Sequence, residues 1–297
     1  MKKNQLNKKI GLPRVLIVGC GDVGLRILPL LGSRYRIFAL TTQANRCDEL
    51  RAAGAIPIVA NLDDPLSLAR LAGLASLIIY LAPPESVGKL DTRSRHFASV
   101  LARQSRLVYV STSGVYGDCG GAVITETRSV QPHNLRAVRR VDAEQVWRKW
   151  ARRTGSCMSI LRVPGIYAAN RLPLQRLNNR TPALLADDDV YSNHIHAQDL
   201  ARLIVQTLAR GSPNRIYHAV DDTELLMGDY FDAVADKYKL PRAPRLPRGE
   251  LESQVSPMML SFMSESRRMN NTRIKQELGF RLLYPEVADF LLSDGQR

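Results

Sequence analysis

The sequence has no apolar run approaching the roughly 18 residues that a membrane-spanning helix needs, so no span is expected. Residues 1–13 are rich in Lys and Asn and lack the apolar centre of a secretory signal. They read as a flexible leader ahead of a cytosolic (cytoplasmic) domain. Cysteine is sparse. Cys20, Cys47, Cys119 and Cys157 stand singly, none at CxxC spacing and none at a metal-ligand interval from a histidine. Free thiols and no metal site follow. Acids are in deficit: 42 Lys and Arg against 28 Asp and Glu leave a net charge of +14. Such an excess favours anionic partners, whether a dinucleotide, a phosphorylated substrate, nucleic acid or an anionic surface. Aromatic residues make up only 6%, and the densest basic run, residues 136–153, holds Trp147 and Trp150 but not the aromatic interleaving used for base stacking. A base-stacking platform for single-stranded nucleic acid is therefore missing. That run reads as a solvated basic face, and nucleic acid is not the expected partner.

What the chain does have is alternation. Short β-branched runs at residues 14–19, 35–40, 56–60, 76–81, 106–111 and 157–162 suit buried parallel strands. Helical patterns lie between them, at residues 22–31, 46–53, 63–71, 90–103 and 134–153. Pro29 is expected to kink or end the first helix, and Gly54 to cap the second. A repeat of about 20 residues predicts an α/β fold, a Rossmann-type doubly wound parallel sheet with right-handed crossovers. Beyond Gly165 the rhythm loosens. A helix is expected at 197–208, a strand at 215–219, a helix at 227–239, a proline-rich linker at 241–247 and a last helix at 271–278. Residues 14–166 then form the dinucleotide-binding core. Residues 167–297 complete the sheet and build a small C-terminal substrate lobe interleaved with it.

The most informative stretch is Gly19-Cys20-Gly21-Asp22-Val23-Gly24, which follows the first strand and opens the first helix. In that context a GxGxxG is a pyrophosphate cradle. Gly19 permits the tight turn, Gly21 leaves the backbone amides bare, and Gly24 allows close helix–strand packing. Asp22, Val23 and Gly24 carry the free amides and positive dipole of the helix start. Cys20 inside this loop is read as a packing residue, with a redox role as the sharper alternative. An acid at the end of the second strand would bind a ribose 2′-hydroxyl and select NAD. Here Thr41 and Thr42 occupy that position, Arg46 follows, and no acid precedes Asp48. Hydroxyls with an arginine suit a 2′-phosphate, so NADP is favoured over NAD.

Four further stretches extend the pattern: Val110–Gly117 (VSTSGVYG), Leu161–Tyr167 (LRVPGIY), His194–Ala201 (HIHAQDLA), and Glu277–Phe280 (ELGF) with Tyr284-Pro285. With the phosphate loop, their order resembles the extended short-chain dehydrogenase/reductases, nearest the NAD-dependent epimerase/dehydratase group. The shorter GxGxxG is typical of that group's atypical members. The resemblance implies an oxidoreductase or epimerase acting on an anionic small molecule such as a nucleotide-sugar. It places Asn61 and Leu62 at the adenine, Leu81 and Ala82 along the cofactor, and Pro164 in the nicotinamide-side loop.

Catalytic members use a Ser or Thr, a Tyr and a Lys. Thr112 matches the first. Alignment through Asp142-Ala143-Glu144 puts Arg136 at the Tyr position and Arg140 at the Lys position, one helical turn apart. An arginine does not release its proton at physiological pH. Arg136 could clamp an anionic substrate and Arg140 could hold ribose or pyrophosphate. The plainer alternative is an Arg140–Glu144 surface pair. Tyr116 or Tyr167 could replace the missing phenol, Tyr116 with its acidity raised by the two guanidiniums. His133 is read as a capping or surface residue, and His194 and His196 as structural. Ser113 and Gly114 stand where dehydratases place acids, which disfavours dehydration. A non-catalytic dinucleotide sensor or assembly subunit is the alternative reading. A homodimer through the helices at 90–103 and 134–153 is compatible with the family, although the second helix is heavily basic.

Overall fold

The computed structural model describes residues 11–293. Most of the leader, residues 1–10, lies outside the described residues. Seven strands form one parallel sheet: β1 Arg14–Val18, β2 Arg36–Thr41, β3 Ile56–Val59, β4 Leu77–Tyr80, β5 Arg106–Thr112, β6 Cys157–Val163 and β7 Arg215–His218. Their spatial order is β7-β6-β5-β4-β1-β2-β3, a doubly wound Rossmann-type α/β fold. The chain winds outward from β1 to β3, then returns to β4 and winds the other way. The switch point lies between β1 and β4, where ligands of such sheets bind.

The sheet is covered on both faces because its strands are apolar on both sides. In β1, Val15 and Ile17 enter one core while Leu16 and Val18 enter the other. The first core carries α1 Asp22–Leu31 and α2 Cys47–Ala52. The second carries α3 Thr92–Val100 and α4 Leu135–Thr154, whose Trp147 and Trp150 are fully buried. A fifth helix, α5 Ala197–Arg210, packs on α1. Fully burying one large apolar side chain contributes about 1.5–3 kcal/mol, so these two layers dominate stability.

Local sequence signals set α4 well. The Asn134 side chain accepts the Ala137 N–H at 2.9 Å, and Gly155 ends the helix in the left-handed region. The basic run on α4 is a solvated face in part: Arg136, Lys149, Arg152 and Arg153 are exposed. Arg139, Arg140 and Arg148 donate to the backbone carbonyls of Gly88, Val110 and Asn214. Those bonds fix three guanidiniums against the protein without neutralising them.

Other elements depart from expectation. Pro29 neither breaks nor ends α1 at that point. It sits exposed in the last turn, where one lost hydrogen bond is tolerated, and the helix ends at Leu31. The proline-rich stretch 241–247 is not a free linker: its Arg245–Leu246 pairs in parallel with Ala183–Leu184. After α6 Met227–Tyr238, an unforeseen helix α7 Pro257–Met263 precedes α8 Thr272–Leu278. The chain then continues into α9 Val287–Ser293, whose Val287, Phe290 and Leu291 join a third core with Tyr230, Phe231 and Val234 of α6. No helix among the described residues is long and apolar enough to cross a membrane.

Candidate functional site

Two cavities open at the carboxyl edge of the sheet. The first, about 320 Å³, runs across the loops after β1 to β4. It gathers Gly19, Cys20 and Gly21, then Thr41, Thr42, Gln43 and Arg46, then Asn61 and Leu62, and finally Ala82, Pro83 and Arg93. Local geometry explains the glycines. Gly19 has φ +86°, and a Cβ there would lie 2.8 Å from the Ala82 nitrogen. Gly21 has an ordinary φ of −87° and nothing within 4 Å of its would-be Cβ, which leaves the cleft side open. A Cβ on Gly24 would lie 2.9 Å from Cys20 Sγ. No side chain caps the start of α1, so its first amides are left for a ligand. The arrangement suits a pyrophosphate.

The remaining residues assigned to the cofactor divide. The Asp22 carboxylate turns away and pairs with Arg26 (3.3 Å) and Arg171 (3.2 Å), leaving only its backbone for a phosphate. Val23 and Leu81 pack against the core, and Pro164 lines the second cavity. The Asn61 side-chain oxygen already accepts the Asp63 N–H at 3.0 Å, so an adenine would have to share it. Thr41 Oγ1 accepts the Gln43 N–H at 3.1 Å. Arg46 donates Nη1 to the Cys20 carbonyl at 2.8 Å and pairs through Nε with Glu49, which ties it to the glycine loop after β1. Cys20 is buried, and burial pushes its thiol up to about 11, against a thiolate redox role. Arg93, paired with Asp63 through two bonds of 2.7 Å, carries no motif that would have marked it.

The second cavity, about 850 Å³, lies beyond β5 and β6. Thr112, Ser113 and Gly114 form one side with Asn134 and Arg136 of the α4 start. Tyr167, His194, Tyr230 and Phe231 form an aromatic side with Arg176. Glu265 is the one carboxylate lining it among the described residues, and its neighbour Arg267 lines it too. A Cβ on Gly114 would lie 3.7 Å from Thr112 Oγ1 and 4.0 Å from Glu265 Oε2, so threonine and carboxylate flank the same point. Glu265 is ion-paired to Arg267, which donates through Nε to the Gly117 carbonyl at 3.0 Å. The Glu265–Arg267 pair has no signature spacing. It reaches Thr112 only because the segment between α7 and α8 folds back.

The structure separates the residues grouped by the catalytic expectation. Arg136 is exposed at the cavity rim, its guanidinium 4.6 Å from the Phe262 ring centre. Arg140 turns towards the sheet and donates to the Tyr109 hydroxyl (3.0 Å) and the Val110 carbonyl (2.9 Å). It pairs with no surface Glu144. That glutamate is buried and binds Arg162 through bonds of 3.1 and 2.7 Å and Ser111 at 2.7 Å. Tyr116 lines neither cavity. It is 1% exposed, its hydroxyl lies 2.6 Å from His218 Nε2, and burial pushes it up to about 12. The expected rise in acidity is reversed, because desolvation outweighs the Arg162 guanidinium stacked on the ring. Burial also pushes the Tyr167 and Tyr230 phenols up and His194 down to about 4. His196 caps α5, its Nδ1 accepting the Gln198 N–H at 3.2 Å. His133 is exposed and Asn134 is the cap of α4.

A glycine-walled cleft at the switch point, beside a large polar-and-aromatic cavity, defines a two-site α/β protein of Rossmann type. Residues 93–282, more than half of the chain, match the family described as RmlD substrate binding domain, and the chain belongs to that family. A conserved protein of unknown function from Silicibacter pomeroyi is similar at 28% identity, TM-score 0.78, with 96% of this chain and 98% of that one covered. dTDP-glucose 4,6-dehydratase from Streptomyces venezuelae, solved with NAD, shares 21% identity at TM-score 0.75, covering 94% and 95%. UDP-glucose 4-epimerase from Thermotoga maritima, solved with UDP-glucose, shares 14% at TM-score 0.73, covering 95% and 99%. No curated protein matches the chain.

Proposed function

We propose that this chain is an NAD(P)-binding oxidoreductase or epimerase of the atypical extended short-chain dehydrogenase/reductase type, acting on an anionic small molecule such as a nucleotide-sugar. The observation that carries the reading is the uncapped start of α1 opening beside Gly21 onto the first cavity. Relatives of the same fold hold NAD in one case and UDP-glucose in another. A bound nicotinamide dinucleotide supplies the hydride donor or acceptor. Within the second cavity Thr112 orients a substrate oxygen, and Arg136, with no ion pair among the described residues, meets substrate charge at the rim. Arg140 acts as a positioning residue, fixing the Val110 carbonyl just before Thr112. Proton exchange falls to a group other than an α4 phenol.

Arg46 favours NADP. Its Nη2 makes no hydrogen bond among the described residues, whereas Nε and Nη1 are engaged. A charge-assisted bond contributes about 1.5–3 kcal/mol, so Arg46→Ala is expected to weaken NADPH roughly tenfold or more and NADH far less. Thermal-shift titrations with both reduced and both oxidised dinucleotides check this. Equal losses for NADPH and NADH would remove Arg46 as the selector, and no shift with any of the four would remove the whole reading.

The second reading is a dinucleotide-binding sensor or assembly subunit without turnover. Tyr116 is buried away from both cavities and Arg140 is occupied by backbone, which favours it. Turnover of a panel of nucleotide-sugars separates the two, read as net NADPH oxidation with keto-sugars for an oxidoreductase and as isomer formation without net oxidation for an epimerase.

A further inference from the structure

The second cavity contains a guanidinium without a counter-ion. Arg176 lies on the short helix Leu174–Asn178, stacked 4.3 Å from the centre of the Phe231 ring. Its Nη2 donates to the Pro182 carbonyl at 2.6 Å, while its Nε is buried with no partner. Arginine offers five N–H donors in a planar fork, and this one satisfies few of them within the protein. The nearby acid, Asp189, is committed elsewhere: it accepts the Gly228 and Val190 amides at 2.8 Å each and faces Arg245 at 3.4 Å. Arg245 also collects Asp232 and Asp229. Acids therefore concentrate around Arg245 and leave Arg176 with none at ion-pair distance among the described residues. The buried Arg162 and Arg267 each hold a glutamate. Arg139, which also lacks an acid partner, lines neither cavity. Desolvation holds Arg176 down at about 10, a penalty that an incoming anion would remove.

We infer that Arg176, rather than the rim residue Arg136, is the principal anion-binding residue of this cavity, and that it takes a phosphoryl group of the substrate. The fork geometry matches two phosphoryl oxygens. The neighbouring Tyr230 and Phe231 exclude water from the contact and strengthen it. This rests on the second cavity being the substrate site, and it names the substrate group that Arg176 holds.

The test uses the full chain, with UDP and inorganic pyrophosphate as calorimetric probes. Arg176→Gln is expected to weaken UDP roughly tenfold or more, with Arg176→Lys intermediate and Arg136→Gln, at the rim, a smaller loss than Arg176→Gln. UDP could also enter the dinucleotide cleft, so Gly21→Val serves as the cross-control. It should leave UDP affinity unchanged while removing NADPH, and Arg176→Gln should do the reverse. If Arg176→Gln does not fold, wild-type protein decides. Phenylglyoxal labelling of the Arg176 peptide should slow when UDP is present. The inference is overturned if neither probe binds wild type, if Arg176→Gln binds UDP as tightly as wild type, or if UDP leaves the labelling rate unchanged. NADPH affinity, measured in parallel, reports separately on the proposed function.

Discussion

Glu144→Ala is expected to destabilise the chain by about 3–5 kcal/mol, an effect readable as a shift of the urea midpoint. The glutamate and Arg162 are 4% exposed or close to it and meet through two hydrogen bonds, with Ser111 as a third partner. Removing the carboxylate leaves a guanidinium buried between α4 and β6 with no other acid at ion-pair distance among the described residues and the Tyr116 ring centre 4.6 Å away. An uncompensated buried charge is far more costly than a missing attraction. The paired replacement Glu144→Leu with Arg162→Met should recover most of the loss, since it removes both charges and fills similar volume. A single-variant loss below about 1 kcal/mol, the range of an exposed pair, would mean that water reaches the site and that it is not the buried staple described.

Gly21→Val is expected to lower NADPH affinity by roughly a hundredfold, about 2.7 kcal/mol, while leaving the melting temperature of the unliganded protein nearly unchanged. The two halves of that outcome have separate causes. Nothing lies within 4 Å of the would-be Cβ, and φ is −87°, so the fold accepts a side chain. The space it would fill is on the cleft side, in front of the α1 amides, where a pyrophosphate must approach. Gly19 offers the contrast. With φ +86° and a Cβ only 2.8 Å from the Ala82 nitrogen, Gly19→Ala should destabilise the protein itself. Wild-type NADPH affinity in folded Gly21→Val would show that the cradle is not the dinucleotide site.

The elements that were legible are those whose signals are local. The apolar run read at 14–19 is β1, and the helical pattern read at 134–153 is α4, each within a residue at its ends. The GxGxxG sits at the strand–helix junction where its geometry requires it. The elements missed are those with weak local signals. Arg245–Leu246 looks like linker between prolines until a parallel partner at Ala183–Leu184 is supplied. The helix α9 follows Pro285 and is held by packing on α6.

Within the candidate site the division is sharper. Arg136 and Arg140 share a helical spacing, yet one lies over Phe262 and the other against β5, because long side chains diverge with their neighbours. Tyr116 has the sequence position of a cleft residue, but His218, 102 positions away, takes its hydroxyl. The amino-acid sequence alone determined the strand–helix rhythm, the caps and the bare amides of the phosphate loop, since each depends on residues a few positions apart. Tertiary structure alone decided which arginines are neutralised, which tyrosines are dry, and that Glu265 faces Thr112. Ion pairing and desolvation depend on distances in space, which here join Glu144 to Arg162 across 18 positions and Tyr116 to His218 across 102.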